Sequence, residues 1–164
     1  MSLTTGIQTV ADFYIRTAYY LTVLGGVTAL GLYDMKKRRV PNWALAVLLP
    51  IALLSLVLPP MPLSLWPELL RAVFGLLMGG LLLLAVAMAT KGGVGGGDIK
   101  LCALLGIIAG PRGILLTLLI AAALAMTAGG IFRLVTKEKL QSIPFVPFLA
   151  VGFSFMGFPI LSLF

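Results

Sequence analysis

Charged residues, histidine and cysteine are scarce in this chain of 164 residues. Only 10% of its residues are charged, whereas a soluble globular domain carries about 25%. The absence of histidine removes the commonest metal ligand and the usual general base of enzymes. The single cysteine, Cys102, excludes an intrachain disulfide and a zinc site built from cysteines alone. We therefore expect this chain to hold no metal ion and to use no cofactor.

Apolar sequence, by contrast, is abundant. Hydrophobic residues make up 60% of the chain, and its mean hydropathy is +1.13. This composition predicts an all-α integral membrane protein that crosses the bilayer several times. Because one span needs about 20 residues, there is room for about six transmembrane helices. We expect them to form a single domain, residues 1–164, with no separate soluble domain.

The chain is also strongly basic, with a net charge of +7. In a soluble protein this charge would suggest a nucleic-acid partner. Here the basic residues cluster in loops beside apolar runs, a pattern that sets membrane orientation and attracts anionic lipid head groups. We therefore expect a lipid bilayer with anionic head groups as a partner, and no nucleic acid. The sequence assigns no oligomeric state.

Six apolar runs follow one another along the chain. They extend over about Tyr14–Tyr33, Trp43–Leu58, Glu68–Thr90, Ile99–Ala109, Ile114–Val135 and, introduced by Pro144 and Pro147, to Phe164. If the first loop is cytoplasmic, nine of the twelve basic residues lie on that side of the membrane: Lys36, Lys37, Arg38, Arg39, Lys91, Lys100, Arg133, Lys137 and Lys139. This asymmetry predicts a multi-pass protein of the inner, cytoplasmic membrane with both termini on the extracytoplasmic side.

Two of the five acidic residues, Asp34 and Asp98, stand where apolar runs meet polar loops. Asp34 opens the segment Asp-Met-Lys-Lys-Arg-Arg-Val-Pro-Asn, and Asp98 closes the segment Gly-Gly-Val-Gly-Gly-Gly-Asp. An ionisable residue at a bilayer boundary is costly, which makes each of them a candidate for function. The charge asymmetry places both on the cytoplasmic side. Two carboxylates that can meet there suggest general acid/base chemistry.

Each feature also has a purely structural interpretation. The glycine run before Asp98 is either a flexible platform for an extended peptide or a plain linker between helices. It is not a phosphate-binding loop, because Asp98-Ile99-Lys100 lacks the required Lys-Ser/Thr. Asp98 could be a helix N-cap, and Asp34 an ordinary interfacial residue beside basic neighbours. A purely structural role for both aspartates at once is less favoured, because the two residues lie on the same side of the membrane and each has its own loop motif.

In these motifs the sequence resembles the prepilin peptidases, membrane aspartic proteases that process precursors of type IV pilin-like proteins. The resemblance rests on three segments in order: Asp34 with Val40-Pro41-Asn42, Gly95-Gly96-Gly97-Asp98 with Ile99-Lys100-Leu101, and Ile143-Pro144-Phe145-Val146-Pro147-Phe148. In the third segment the family usually has glycine where this chain has Val146. The likeness extends over nearly the whole chain.

The resemblance implies that Asp34 and Asp98 form the catalytic pair. It further implies a role in the substrate loop or in its support for Gly95, Gly96, Gly97, Pro41, Asn42, Lys100, Pro144 and Pro147. Larger members carry an additional cytoplasmic region with paired cysteines, linked to N-methylation of the trimmed pilin. This chain resembles the short, peptidase-only type that serves Tad/Flp pili or archaeal flagella. The implied partners are prepilin-like membrane proteins, cut between a short basic leader and an apolar helix at the cytoplasmic face.

Two other classes of function remain open from the sequence. A small ion-coupled transport or pilus-assembly subunit could use the two Asp residues for ion coupling, and a structural scaffold would need neither carboxylate. A size shift in a pilin-like membrane protein separates these alternatives from a peptidase, because neither of them cuts a peptide bond.

Overall fold

Helices make up the regular structure of the computed structural model, which describes residues 3–37, 40–58, 65–89, 94–136 and 145–162. Five α-helices lie in these ranges: α1 (Leu3–Lys37), α2 (Asn42–Leu54), α3 (Leu65–Ala89), α4 (Gly96–Thr136) and α5 (Val146–Ser162). The all-α class predicted from composition is confirmed. α1 begins well before the predicted start at Tyr14, so the first helix is longer than its most apolar stretch.

The fourth and fifth predicted runs both lie within α4, on either side of a break at Gly110, so the six runs correspond to five labelled elements of the described residues. α4 is kinked at Gly110, whose backbone leaves the helical region (φ 71°, ψ 177°). Pro111 follows and has no N–H, so a turn of helical hydrogen bonding is lost there. Arg71 of α3 replaces part of this lost hydrogen bonding, because its Nη1 donates to the carbonyl of Ile108 at 3.2 Å.

α3 and α4 cross with their backbones in direct contact. Gly75 lies against Gly106, and Gly79 lies against the carbonyl of Cys102; a Cβ at either position of α3 would overlap the backbone of α4. Small residues spaced four apart allow this close approach, which is typical of helices packed within membranes. The crossing fixes the first half of α4 against α3 and thereby fixes the position of Asp98.

Two tyrosines on α1 fasten it to its neighbours. The hydroxyl of Tyr19 donates to the carbonyl of Ile51 in α2 at 2.8 Å. The hydroxyl of Tyr20 donates to the carbonyl of Phe153 in α5 at 2.6 Å, and its ring stacks on that of Phe153 with centroids 5.4 Å apart. α1 is therefore fixed between α2 and α5, and Asp34 lies further along the same helix.

Apolar side chains face outward along much of the molecule. Phe74, Leu81 and Met88 follow one another at seven-residue intervals on α3 and are 59%, 57% and 70% exposed. Among the described residues, Trp66–Ala89 and Gly96–Phe132 are long and apolar enough to cross a membrane, and α2 is a shorter apolar helix. An apolar surface of this extent suits hydrocarbon better than water.

Candidate active site

Asp34 lies in the last turn of α1 and is only 5% exposed. The first residue of α5, Val146, lies near enough for its backbone N–H to act on the Asp34 carboxyl. Gly31, one turn earlier on α1, makes room for this contact. A Cβ at Gly31 would lie 3.2 Å from the Cα of Pro147 and 3.6 Å from the carbonyl carbon of Val146. The end of α1 and the start of α5 therefore meet at Asp34.

The surroundings of Asp34 act on its charge in opposite directions. Asp34 lies one residue beyond the predicted first span, and burial raises the pKa of its carboxyl above the ordinary value because the charged form loses hydration. The N–H of Val146 lowers that pKa by binding the ionised form. The positive end of the α5 dipole favours a negative charge at the same place. Burial is the larger effect, so the pKa of the Asp34 carboxyl lies above its ordinary value.

Asp98 is the third residue of α4, not its N-cap as one interpretation of the sequence had it. Gly95 takes the N-cap position, since its carbonyl accepts the N–H groups of Asp98 at 3.0 Å and Ile99 at 3.3 Å. The Asp98 carboxylate lies beside Gly95, whose backbone N–H acts on it. This is the half of a capping box that the N3 side chain provides, since glycine has no side chain to supply the other half.

The described part of the glycine run leads directly into a helix. Gly96 and Gly97 form the first turn of α4, while residues 90–93 lie outside the described residues. Gly97 packs against the first loop: its Cβ would lie 2.8 Å from the Cβ of Val40. Gly95 lies beside Asp98, with 3.3 Å between a Cβ there and Oδ2, whereas Gly96 has open space around it. Two of the three glycines are therefore used for close packing.

The two aspartates come together although 63 residues separate them along the chain. Their carboxyl groups are close enough for the charge of Asp34 to act on Asp98. The contact of Val40 with Gly97 brings the first loop to the start of α4. The ammonium of Lys100 donates to Oδ1 of Asn42, the first residue of α2, at 3.4 Å.

An open groove of about 650 Å³ lies on the first-loop side of this cluster. It is lined by Tyr33, Lys37, Val40, Pro41 and Asn42. Pro41 ends the loop in an extended conformation, and its carbonyl accepts the N–H of Ala44 at 3.1 Å. Among the described residues, no group of three or more His, Cys, Asp or Glu side chains is placed to hold a metal ion.

The third motif reaches the site through its backbone. Pro147 packs on Gly31, and the backbone N–H of Val146 acts on Asp34; Pro144 lies outside the described residues. The Val146 side chain is fully buried. A valine in place of the usual family glycine leaves the donor unchanged, because the N–H belongs to the main chain. Sequence reasoning missed Gly31 and the Val146 N–H, since a backbone donor has no side-chain pattern.

Comparison with known proteins identifies the family. The model of the type IV leader peptidase family matches residues 21–131, more than half of the chain. The chain belongs to this family. The residues matched include Asp34 and Asp98, while the start of α5 lies beyond them.

Two curated relatives of this leader peptidase family member have the same name. The prepilin leader peptidase/N-methyltransferase of Bacillus subtilis (strain 168) is 32% identical over 120 residues, which cover 73% of this chain and 46% of that protein. The prepilin leader peptidase/N-methyltransferase of Stutzerimonas stutzeri is 29% identical over 138 residues, covering 80% and 46%. The chain thus spans about half the length of the curated relatives it matches. No solved structure gave a match.

Proposed function

We propose that the chain is an aspartic endopeptidase that removes the short basic leader from type IV pilin-like precursors. The observation that carries this proposal is the packing of the first loop on the start of α4, which brings Asp34 near enough for its charge to act on Asp98, beside an open groove. Membership of the leader peptidase family supports the same chemistry. The carboxylates need no metal ion or cofactor for it.

In this mechanism the two carboxyl groups share one proton, because two negative charges at close range disfavour each other. The ionised carboxylate takes a proton from a water molecule, whose oxygen attacks the scissile carbonyl carbon. The protonated carboxyl donates to the carbonyl oxygen. The tetrahedral intermediate then collapses, the C–N bond breaks, and the leaving amine receives a proton from the pair. The pair titrates as one unit, so its two steps belong to both residues.

The groove would hold an extended segment of substrate along the first loop, next to Tyr33, the chain neighbour of Asp34. The apolar helix that follows the leader would lie in the bilayer beside the outward-facing apolar side chains of the protein. Cleavage at the junction then requires the pair to lie at the boundary of the membrane. The charge asymmetry of the loops supports the cytoplasmic boundary of the inner membrane, with about six spans and extracytoplasmic termini.

These residues supply the peptidase reaction and not the methyl transfer that the names of the curated relatives include. The absence of methyl transfer is proposed because the chain has a single cysteine, whereas the resemblance links methylation to a region with paired cysteines. A trimmed product without an added methyl group is the expected result. Mass spectrometry distinguishes this product from the same product with an added methyl group.

The experiment uses the purified protein in detergent with a synthetic precursor that joins a basic leader to an apolar segment. We expect two products whose masses sum to that of the substrate plus one water. The larger product should carry no methyl group when S-adenosylmethionine is added as methyl donor. An intact precursor after prolonged incubation would contradict the peptidase and would favour a transport or assembly subunit.

A further inference from the structure

Asn42 is the first residue of α2 and one of the residues that line the open groove. Asparagine at the start of a helix commonly caps it with its side chain. Here Pro41 takes the N-cap position, and no side chain of the described residues caps α2. The Asn42 amide is used elsewhere, because its Oδ1 accepts a hydrogen bond from the ammonium of Lys100 in α4 at 3.4 Å. The side chain therefore joins the groove to the helix that carries Asp98.

The bond to Lys100 fixes the orientation of the Asn42 amide. An ammonium group can only donate, so the carbonyl end of the amide lies toward Lys100 and its NH2 end lies away from it. A cation at the carbonyl oxygen also polarises the amide and makes its N–H groups better donors. Within the described ranges the structure gives the amide this bond alone. Both N–H groups of Nδ2 are therefore available to a ligand of the groove.

The rest of the groove wall offers little to the main chain of a peptide. Pro41 has no N–H, and its carbonyl already accepts the N–H of Ala44 at 3.1 Å. The ammonium of Lys37 lies over the ring of Tyr33, 5.4 Å from its centroid. An extended peptide, in contrast, presents a carbonyl acceptor at every residue. The Asn42 amide is the group on this wall that offers two N–H donors without a charge.

Asn42 also has a fixed place relative to the site. Val40 packs against the start of α4, where a Cβ at Gly97 would lie 2.8 Å from the Cβ of Val40. A few residues further along each segment, Asn42 meets Lys100. The first loop and the start of α2 are thus joined to α4 at two points, one on either side of Asp98 in the sequence. A peptide held by Asn42 is thereby held relative to Asp98.

We propose that Asn42 is a substrate-binding residue whose Nδ2 donates to a main-chain carbonyl of the extended segment of the precursor, and that Lys100 is a positioning residue that orients this amide. The inference rests on the proposed function, and it identifies the main chain of the segment as what this part of the groove binds. A neutral donor suits a basic leader, because a further positive charge would repel it. The bond also fixes the position of the segment along the groove, and so the bond that is presented to the aspartates.

Asn42→Leu and Lys100→Met separate donation to the substrate from a mere link between helices. Leucine has nearly the shape of asparagine but can neither donate nor accept a hydrogen bond. Lys100→Met leaves the Nδ2 donors in place and removes only what orients them. We expect Asn42→Leu to raise KM by about tenfold with kcat within about twofold of the wild type, and Lys100→Met to raise KM by about threefold. Lys100→Arg retains a donor for Oδ1 and should bring KM back close to that of the wild type.

The double variant measures the dependence of one residue on the other. If Lys100 acts through Asn42, Asn42→Leu with Lys100→Met has the KM of Asn42→Leu alone, because there is no amide left to orient. A purely structural link predicts instead that the two single variants lose the same amount, since either one breaks the same bond. Equal KM values in the single variants, a wild-type KM in Asn42→Leu, or a further rise of KM in the double variant would overturn the inference.

The KM and kcat values come from initial rates over a range of concentrations of the synthetic precursor. Both side chains are exposed, so we expect every variant to fold, and thermal unfolding in detergent checks this. If Asn42→Leu does not fold, Asn42→Ala takes its place with the same expected KM, because alanine is the best helix former. Cleavage by Asp34→Asn would contradict the proposed function itself, whereas an unchanged KM in Asn42→Leu contradicts this inference alone, so the two failures are distinguishable.

Discussion

At the scale of residues, both aspartates of the site lie beside the beginning of a helix. The backbone N–H of Val146 in α5 acts on Asp34, and that of Gly95 acts on Asp98. The sequence pointed to the two carboxyl groups because an acidic residue at a membrane boundary is costly. It did not point to the donors, since a backbone N–H is present in almost every residue and its use depends on the fold.

The glycines before Asp98 differ in what they contact, which gives a test at the same scale. Gly97→Ala would place a Cβ 2.8 Å from the Cβ of Val40, whereas Gly96→Ala meets open space. The first loop must move away from α4 in the first variant, and we expect cleavage of a precursor to fall by about tenfold or more. Gly96→Ala should cleave at nearly the wild-type rate.

Initial rates of product formation, measured for both variants at one enzyme concentration, check this prediction. Thermal unfolding of both proteins serves as the control for folding. Equal losses of rate in the two variants would mean that the run acts through its flexibility, as the platform interpretation of the sequence holds, and not through the packing of Gly97.

At the scale of elements, α4 shows what the sequence indicated and what it did not. The pair Gly110-Pro111 correctly marked an interruption: Gly110 is not helical, and a second helical segment begins directly after it. Proline is compatible with the first turn of a helix, so Pro111 both ends the helical segment before it and begins the segment after it. The reach of Arg71 to Ile108 could not be predicted, because it depends on the crossing of α3 with α4.

Gly110 has a backbone conformation that residues with a side chain rarely adopt (φ 71°, ψ 177°). A Cβ there would also lie 3.1 Å from Nη1 of Arg71. We expect Gly110→Ala to lower the free energy of unfolding by about 1–3 kcal/mol. Gly130→Ala in the same helix meets nothing within 4 Å and should be neutral or stabilise by up to about 1 kcal/mol.

Thermal unfolding of the two alanine variants in one detergent gives the comparison. A transition of Gly110→Ala at or above that of the wild type would contradict the account of the kink. A large loss in Gly130→Ala would show that alanine is generally unfavourable in α4, and the effect at Gly110 would then have no special meaning.

At the scale of the whole molecule, the end of α1 and the starts of α2, α4 and α5 meet at one site. Charge counting along the sequence placed Asp34 and Asp98 on one side of a membrane, and the structure brings the two together. The start of α5 reaches this site through the contact of Pro147 with Gly31, one turn before Asp34. The orientation of the chain in the bilayer remains a prediction from the charges.

The central claim is that Asp34 and Asp98 act together as a catalytic pair, and single asparagine substitutions test it most directly. Asparagine has nearly the shape of aspartate but cannot exchange a proton near neutral pH. The measurement is the mass of the products from a synthetic precursor after incubation with Asp34→Asn, Asp98→Asn and, as a control on the same helix as Asp34, Asp12→Asn. The account predicts no cleavage by the first two variants and wild-type cleavage by the third, with all three folded by thermal unfolding; substantial product from Asp34→Asn or from Asp98→Asn would contradict it.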